Sequence, residues 1–79
     1  VTTARGTPEG VRVARRGPVL HLELDRPQRR NALTDEITVA LAEVIAAAGT
    51  DPDVRVVLLT GAGDHFCSGA DLAFKQPGD

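Results

Sequence analysis

Val54-Arg55-Val56-Val57-Leu58-Leu59 is the stretch on which the fold turns. It is almost entirely β-branched and aliphatic, broken only by Arg55. An apolar run without alternation is the pattern of a strand covered on both faces, as in parallel sheets. Asp51-Pro52-Asp53 before it makes a turn. Upstream, Ile37, Ala40, Leu41, Val44, Ile45 and Ala48 recur at helical spacing. Thr34 is placed to cap that helix, Asp35 and Glu36 fall in its first turn where the positive helix end favours carboxylates, and Gly49 is its stop signal. The helix is expected to pack on the sheet through Ile37, Leu41, Val44 and Ile45.

Further toward the start, Leu20, Leu22 and Leu24 alternate with His21 and Glu23, the period-two pattern of a half-buried strand. Val11 and Val13 alternate with Arg12 and Ala14 ahead of a Gly17-Pro18 break, so these two strands are expected to pair as a hairpin. Pro27, lacking an amide hydrogen, ends the second strand, and Gln28-Arg29-Arg30-Asn31 makes a loop. Residues 1–9 read as a flexible leader and residues 10–79 as the folded part. Hairpin, helix and buried strand together predict an α/β protein in which the helix crosses over to set the last strand parallel to a neighbour.

The chain has 79 residues, 42% of them apolar, with two Phe as its only aromatic residues. Such a chain buries only about 60% of its unfolded surface, so its core is thin. One cysteine, Cys67, and two histidines far apart in sequence provide neither a disulfide scaffold nor a zinc module. With no such staple and no initiator Met, the chain is expected to be part of a longer protein. Apolar stretches are strand-sized, well short of the roughly 18 residues of a membrane helix, and no basic-then-apolar leader opens the chain. A soluble cytoplasmic protein is the expectation. Residues 1–30 hold seven arginines against three acids, whereas residues 31–79 hold two bases against eight acids. A basic third attracts phosphate, but without interleaved aromatics it gives little support to nucleic-acid binding.

Chemistry concentrates in Thr60-Gly61-Ala62-Gly63-Asp64-His65-Phe66-Cys67-Ser68-Gly69-Ala70-Asp71-Leu72, just past the carboxyl end of the buried strand. Ligands of open α/β sheets collect at such ends. Small residues from Ser68 to Ala70 let a ligand approach main-chain amides, and Asp71-Leu72-Ala73-Phe74 can open a helix whose first N–H groups lack internal partners. The plainer alternative is a tight Gly-rich connection. The dinucleotide fingerprint is incomplete, because Phe66 takes the place of its third glycine. No Gly-Lys-Ser/Thr follows for a phosphate loop, and Ser68 lacks the flanking glycines of a nucleophile elbow. Cys67 reads as a small packed residue, and His21 and His65 as surface or turn residues rather than catalysts.

Taken in order, Asp25-Arg26-Pro27, Asn31-Ala32-Leu33, the amphipathic helix, Asp51-Pro52-Asp53-Val54-Arg55, Val57-Leu58-Leu59-Thr60-Gly61 and Phe66-Cys67-Ser68-Gly69-Ala70-Asp71-Leu72 carry a resemblance. Over about residues 11–75 the chain resembles the amino-terminal part of the enoyl-CoA hydratase/isomerase, or crotonase, superfamily. That resemblance implies a right-handed spiral of β-β-α units, assembly as homo-trimers or dimers of trimers, and binding of an acyl-CoA or enoyl-CoA thioester. Coenzyme A would enter as part of the substrate; no separate cofactor and no metal are implied. Fatty acid metabolism and a lyase or isomerase activity follow from the same likeness.

At residue level, the resemblance matches Ala70 to a backbone N–H donor of an oxyanion hole that holds the thioester oxygen as enolate charge forms. Gly69 would allow the close approach, and Ser68, Asp71 and Leu72 would line the CoA path, although Asp71 can equally cap the following helix. Arg29 and Arg30, beside Ala32, fall where family members contact CoA, and guanidinium groups suit phosphate oxygens. The alternative for both is a solvated loop. Members take a second oxyanion amide and their acid/base carboxylates from later segments that this sequence does not contain. Asp64, Asp71 and Asp79 do not match those positions. The chain alone is therefore expected to be inactive, with the remainder of its own protein as a partner. Two rivals stand beside this reading: a non-enzymatic crotonase-fold remnant or assembly piece, and a nucleotide-binding α/β module resting on Thr60-Gly61-Ala62-Gly63.

Overall fold

The computed structural model describes residues 8–71. Most of the expected leader, Leu72 and the helix expected after Asp71 lie outside the described residues. Strands β1 (Val11–Arg16) and β2 (Val19–Leu24) form the hairpin, helix α1 runs Asp35–Gly49, and β3 spans Val56–Gly61. A single 3-10 turn, Pro27–Arg29, follows β2. The sheet order is β1-β2-β3, with β1 antiparallel and β3 parallel to β2. The expected α/β arrangement is therefore present, with the helix as crossover.

The hairpin closes on Gly17 and Pro18, with Arg16 opposite Val19. Gly17 has φ +55°, a conformation in which a Cβ is strained, so glycine suits this tight turn. Pro18 adds a fixed φ, and its carbonyl accepts from the Arg55 and Val56 amides, fastening the start of β3 to the hairpin turn. Strand register then places side chains in rows. Val11, Leu24 and Gly61 share one row, and Val13, Leu22 and Leu59 share another. This face carries the core, formed by Val11, Val13, Leu20, Leu22 and Leu24 against Ile37 and Ala48 of α1.

The helix starts where its cap permits. Thr34 is extended, and its hydroxyl accepts from the Ile37 amide at 3.2 Å. Asp35 and Glu36 occupy the first turn, as expected. At the other end, the helix runs through Gly49, and Thr50 terminates it by donating its amide and hydroxyl to the Ala47 carbonyl. The stripe that meets the sheet is Ile37, Leu41, Val44 and Ala48. Ile45, expected in that stripe, is 45% exposed. One residue beyond Val44 is about 100° around the helix, which turns Ile45 off the packed face.

Strand β3 departs from expectation twice. It begins at Val56 rather than Val54. The Asp51 turn holds the chain longer than the apolar run implies: its carboxylate accepts from the Asp53 amide and its carbonyl from the Val54 amide. Val54 packs against the buried core instead. Nor is β3 covered on both faces among the described residues. Val56 and Leu58, on the face away from α1, are 51% and 46% exposed, and Val57 and Leu59, on the helix side, are 39% and 38% exposed. β3 lies at the edge of the sheet, and the buried core residues of α1 meet the leucines of β2 and the valines of β1.

Candidate functional site

Because β2 and β3 are parallel and end level, Leu24 opposite Gly61, the loops leaving both strands emerge side by side. The 3-10 turn carries the first loop back on itself, with Arg30 and Asn31 at φ +53° and +57°. Asparagine tolerates that left-handed conformation through local hydrogen bonding. Asn31 is only 1% exposed and fully engaged: its Oδ1 accepts from the Arg26 amide at 2.9 Å, and its Nδ2 donates to the carbonyls of Ala62 and His65. One side chain thus ties the loop after β2 to the loop after β3. Gly61 sits against this junction. A Cβ there would overlap the carbonyl oxygens of His65 and Phe66 and the Asn31 amide, which requires glycine.

The loop after β3 then returns to the first loop. Leu33 and Ala70 form an isolated parallel bridge. The Leu33 amide donates to the Gly69 carbonyl at 2.8 Å, and the Asp71 amide donates to the Leu33 carbonyl at 2.7 Å. In such a bridge the central residue's own N–H and C=O point the opposite way. Planarity reaches the same result, because a trans peptide directs the Ala70 N–H away from the Gly69 C=O, and hence away from Leu33. Ala70 is exposed, and its amide donates to no acceptor among the described residues.

Beside it, Asp71 is buried, its side chain 3% exposed, between two guanidinium groups. Arg26 Nη2 lies 3.1 Å from Oδ2, and Arg29 Nη2 lies 3.0 Å from Oδ1, with the Arg29 Nε 3.4 Å from Oδ2. Arg26, 13% exposed, also donates through Nη1 to the Ala32 carbonyl. Removing one member of a buried ion pair costs about 3–5 kcal/mol, because the other charge is left without hydration or partner. No buried side-chain nitrogen or oxygen among the described residues lacks a hydrogen-bond partner. Two guanidinium groups thus meet one carboxylate, leaving this cluster with a net positive charge that favours anions.

Of the candidates singled out by sequence, Arg29, Ala32, Gly69, Ala70 and Asp71 come together here. Arg29 turns two of its nitrogens to Asp71. Arg30 and Ser68 are exposed on the same loops, and Leu72 lies outside the described residues. Cys67 is partly buried against the core, with its Sγ accepting from the Gly69 amide at 3.3 Å. His21 is a half-buried strand residue sharing a hydrogen bond of 2.7 Å with the Thr60 hydroxyl. Arg26 and Asn31 were missed as organisers. The only signal for them in sequence was their place in the quoted segments, since their partners lie far along the chain. A concavity of about 510 Å³ near the start of α1 is rimmed by Glu9, Asp25, Asp35 and Glu36 against one guanidinium, Arg26, a balance unfavourable for phosphate.

Comparison with known proteins bears on what such a cluster belongs to. Residues 14–77 match the family model described as enoyl-CoA hydratase/isomerase, so the chain belongs to that family. Over 82 aligned positions it is 39% identical to an enoyl-CoA hydratase of Mycobacterium tuberculosis, covering 100% of this chain and 30% of the relative. It is 43% identical over 54 residues to the peroxisomal Delta(3,5)-Delta(2,4)-dienoyl-CoA isomerase of Arabidopsis thaliana, covering 68% of this chain and 19% of the relative. Among solved structures, an enoyl-CoA hydratase from Mycobacterium smegmatis superimposes with a TM-score of 0.79 at 38% identity, over 89% of this chain and 32% of that one. The chain thus spans less than a third of the length of these relatives. The hairpin, helix and parallel strand correspond to the amino-terminal β-β-α portion of the crotonase fold.

Proposed function

We propose that this chain is the acyl-CoA thioester-binding segment of an enoyl-CoA hydratase/isomerase-like enzyme, and that the Ala70 N–H is one donor of its oxyanion hole. The observation that carries this reading is the direction of that amide. It is turned away from the bridge to Leu33, on an exposed residue, with no acceptor among the described residues. A thioester carbonyl in line with it would gain a hydrogen bond that strengthens as the oxygen becomes enolate-like. Gly69, without a Cβ, leaves room beside the oxygen, and Ser68 would continue the lining of the CoA path. Arg30, and the part of Arg29 not engaged with Asp71, would meet CoA phosphates. Hydration of an enoyl thioester is the preferred chemistry: water adds to the β-carbon and a proton to the α-carbon, with positioned carboxylates handling both protons. Those carboxylates and the second amide donor would come from outside this sequence, so the chain alone would be inactive.

The test is made on the whole enzyme. Ala70→Pro deletes the N–H, whereas Ala70→Ser keeps it. Loss of one oxyanion donor lowers turnover roughly a hundredfold to a thousandfold. Proline is expected to do this with CoA affinity and melting temperature near those of the parent, and serine is expected to stay close to parent turnover. Parent-rate turnover by the proline variant would remove Ala70 from the oxyanion hole. Absence of any acyl-CoA turnover or binding by the parent would favour a non-enzymatic remnant of the fold.

A further inference from the structure

We propose that Asp71, gripped by Arg26 and Arg29, is a positioning residue that fixes the aim of the Ala70 amide. The inference rests on the reading of Ala70 as an oxyanion donor. It assigns to a buried carboxylate a catalytic consequence that its own contacts with the arginines would not by themselves suggest.

The Ala70 N–H belongs to the peptide plane shared with Gly69, so its direction is the direction of that plane. On the Gly69 side the steric restraint is small, and the Gly69 amide is tied only to Cys67 Sγ at 3.3 Å among the described residues. Gly69 has φ +98°, and a Cβ built there would meet nothing within 4 Å. Among the described residues, two attachments oppose rotation of the plane. One is the Gly69 carbonyl accepting from Leu33; the other is Asp71, the residue that follows Ala70. Asp71 is held by its backbone and its side chain together: the amide donates to the Leu33 carbonyl, and the carboxylate meets two guanidinium groups. Arg26 cannot shift freely either, since its amide donates to Asn31 and its Nη1 to the Ala32 carbonyl, next to Leu33. Asp71, Arg26, Ala32 and Leu33 thus close a small ring around the bridge. Ala70 projects from that ring with its N–H outward.

A donor contributes to catalysis only when it is aimed at the oxygen's position in the transition state, and small misorientations weaken it. Loosening the ring at Asp71 should therefore lower turnover more than substrate binding, because the arginines that would meet CoA phosphates are kept. The experiment uses the whole enzyme with two variants. Asp71→Asn keeps the shape but removes the charge; Arg29→Gln removes one grip at a residue whose side chain is 46% exposed and leaves Asp71 paired with Arg26. The expected loss in kcat is about tenfold for Asp71→Asn with KM little changed, as for a weakened transition-state donor, and about threefold for Arg29→Gln, whose KM also rises because Arg29 would meet CoA phosphates. The second readout is the carbonyl stretching frequency of a bound, unreactive acyl-CoA analogue. A smaller downshift on binding is expected in both variants, in the same order as the kcat losses.

Parent values of kcat and carbonyl frequency in both variants would overturn the proposal. So would a kcat loss with the carbonyl downshift intact, since that would mark Asp71 as merely structural. These outcomes are separate from failure of the underlying reading, which Ala70→Pro decides: parent turnover there removes Ala70 as donor, whereas lost turnover beside an unaffected Asp71→Asn removes only the positioning role.

Discussion

Strands β2 and β3 lie side by side in parallel, and both are rich in aliphatic residues, yet their burial differs sharply. Leu20, Leu22 and Leu24 of β2 are 8%, 0% and 2% exposed, whereas Val56 to Leu59 of β3 are between 38% and 51% exposed. Intrinsic β preference does not distinguish them. Position does: β2 has a strand on each side and the helix above its leucines, whereas β3, among the described residues, has a strand on one side only. The alternating pattern of β2 asks for one covered face and receives it. The unbroken pattern of β3 asks for two, and the described residues supply only part of one. An apolar run thus records the surroundings a strand is suited to, and the difference locates the surface where this unit is most receptive to further packing.

The contrast can be broken by substitution, and the largest effect belongs to β2. Leu22→Ala removes a fully buried side chain and is expected to cost about 3–5 kcal/mol in urea unfolding, the range for truncating a core leucine that leaves a cavity. A cost below about 1 kcal/mol would show that the β1-β2-helix core is not the centre of stability. An intermediate effect is expected where β3 meets the loops. Gly61→Ala forces a Cβ against the His65 and Phe66 carbonyls, and such overpacking typically costs about 1–3 kcal/mol. If alanine were neutral there, the junction held by Asn31 would be looser than its hydrogen bonds imply. The smallest effect belongs to the middle of β3. Leu58→Asp in the 79-residue chain is expected to shift stability by no more than about 0.5 kcal/mol, as for an exposed site, while reducing self-association by interrupting the apolar surface. A loss comparable to that of Leu22→Ala would mean that β3 is covered as its pattern predicts, and the comparison would fail.

What could be read from the residues alone follows the range of the interactions. Thr34 as a cap was legible because its partner, the Ile37 amide, is three residues away. The hairpin was legible because alternation and a Gly-Pro break are local signals. Ile45 was misplaced because an apolar residue one step off the stripe looks the same in composition as one on it. The start of β3 was set two residues early because side-chain bonding at Asp51 competes with strand extension. The candidate site was legible in part through the family likeness, which pointed to Ala70, Gly69 and Asp71 together. The ring that holds them was not, because Asn31 finds Ala62 31 residues away and Arg29 finds Asp71 42 residues away. Pairings at that distance exist only once the strands have been set in register.

The parallel pairing of β2 with β3 also bears on the order of folding. The hairpin joins neighbouring segments through a two-residue turn, while β3 reaches β2 only after the chain has closed a loop containing the whole of α1. Closing a longer loop costs more chain entropy before any contact repays it, so local pairing leads and distant pairing follows. Every bond that draws the Ala70 segment to the first loop depends on that later event, because the segment hangs from the end of β3. The chain therefore assembles its framework before it can present the amide, and a nascent chain with only its hairpin and helix formed would have no anion-accepting corner at all.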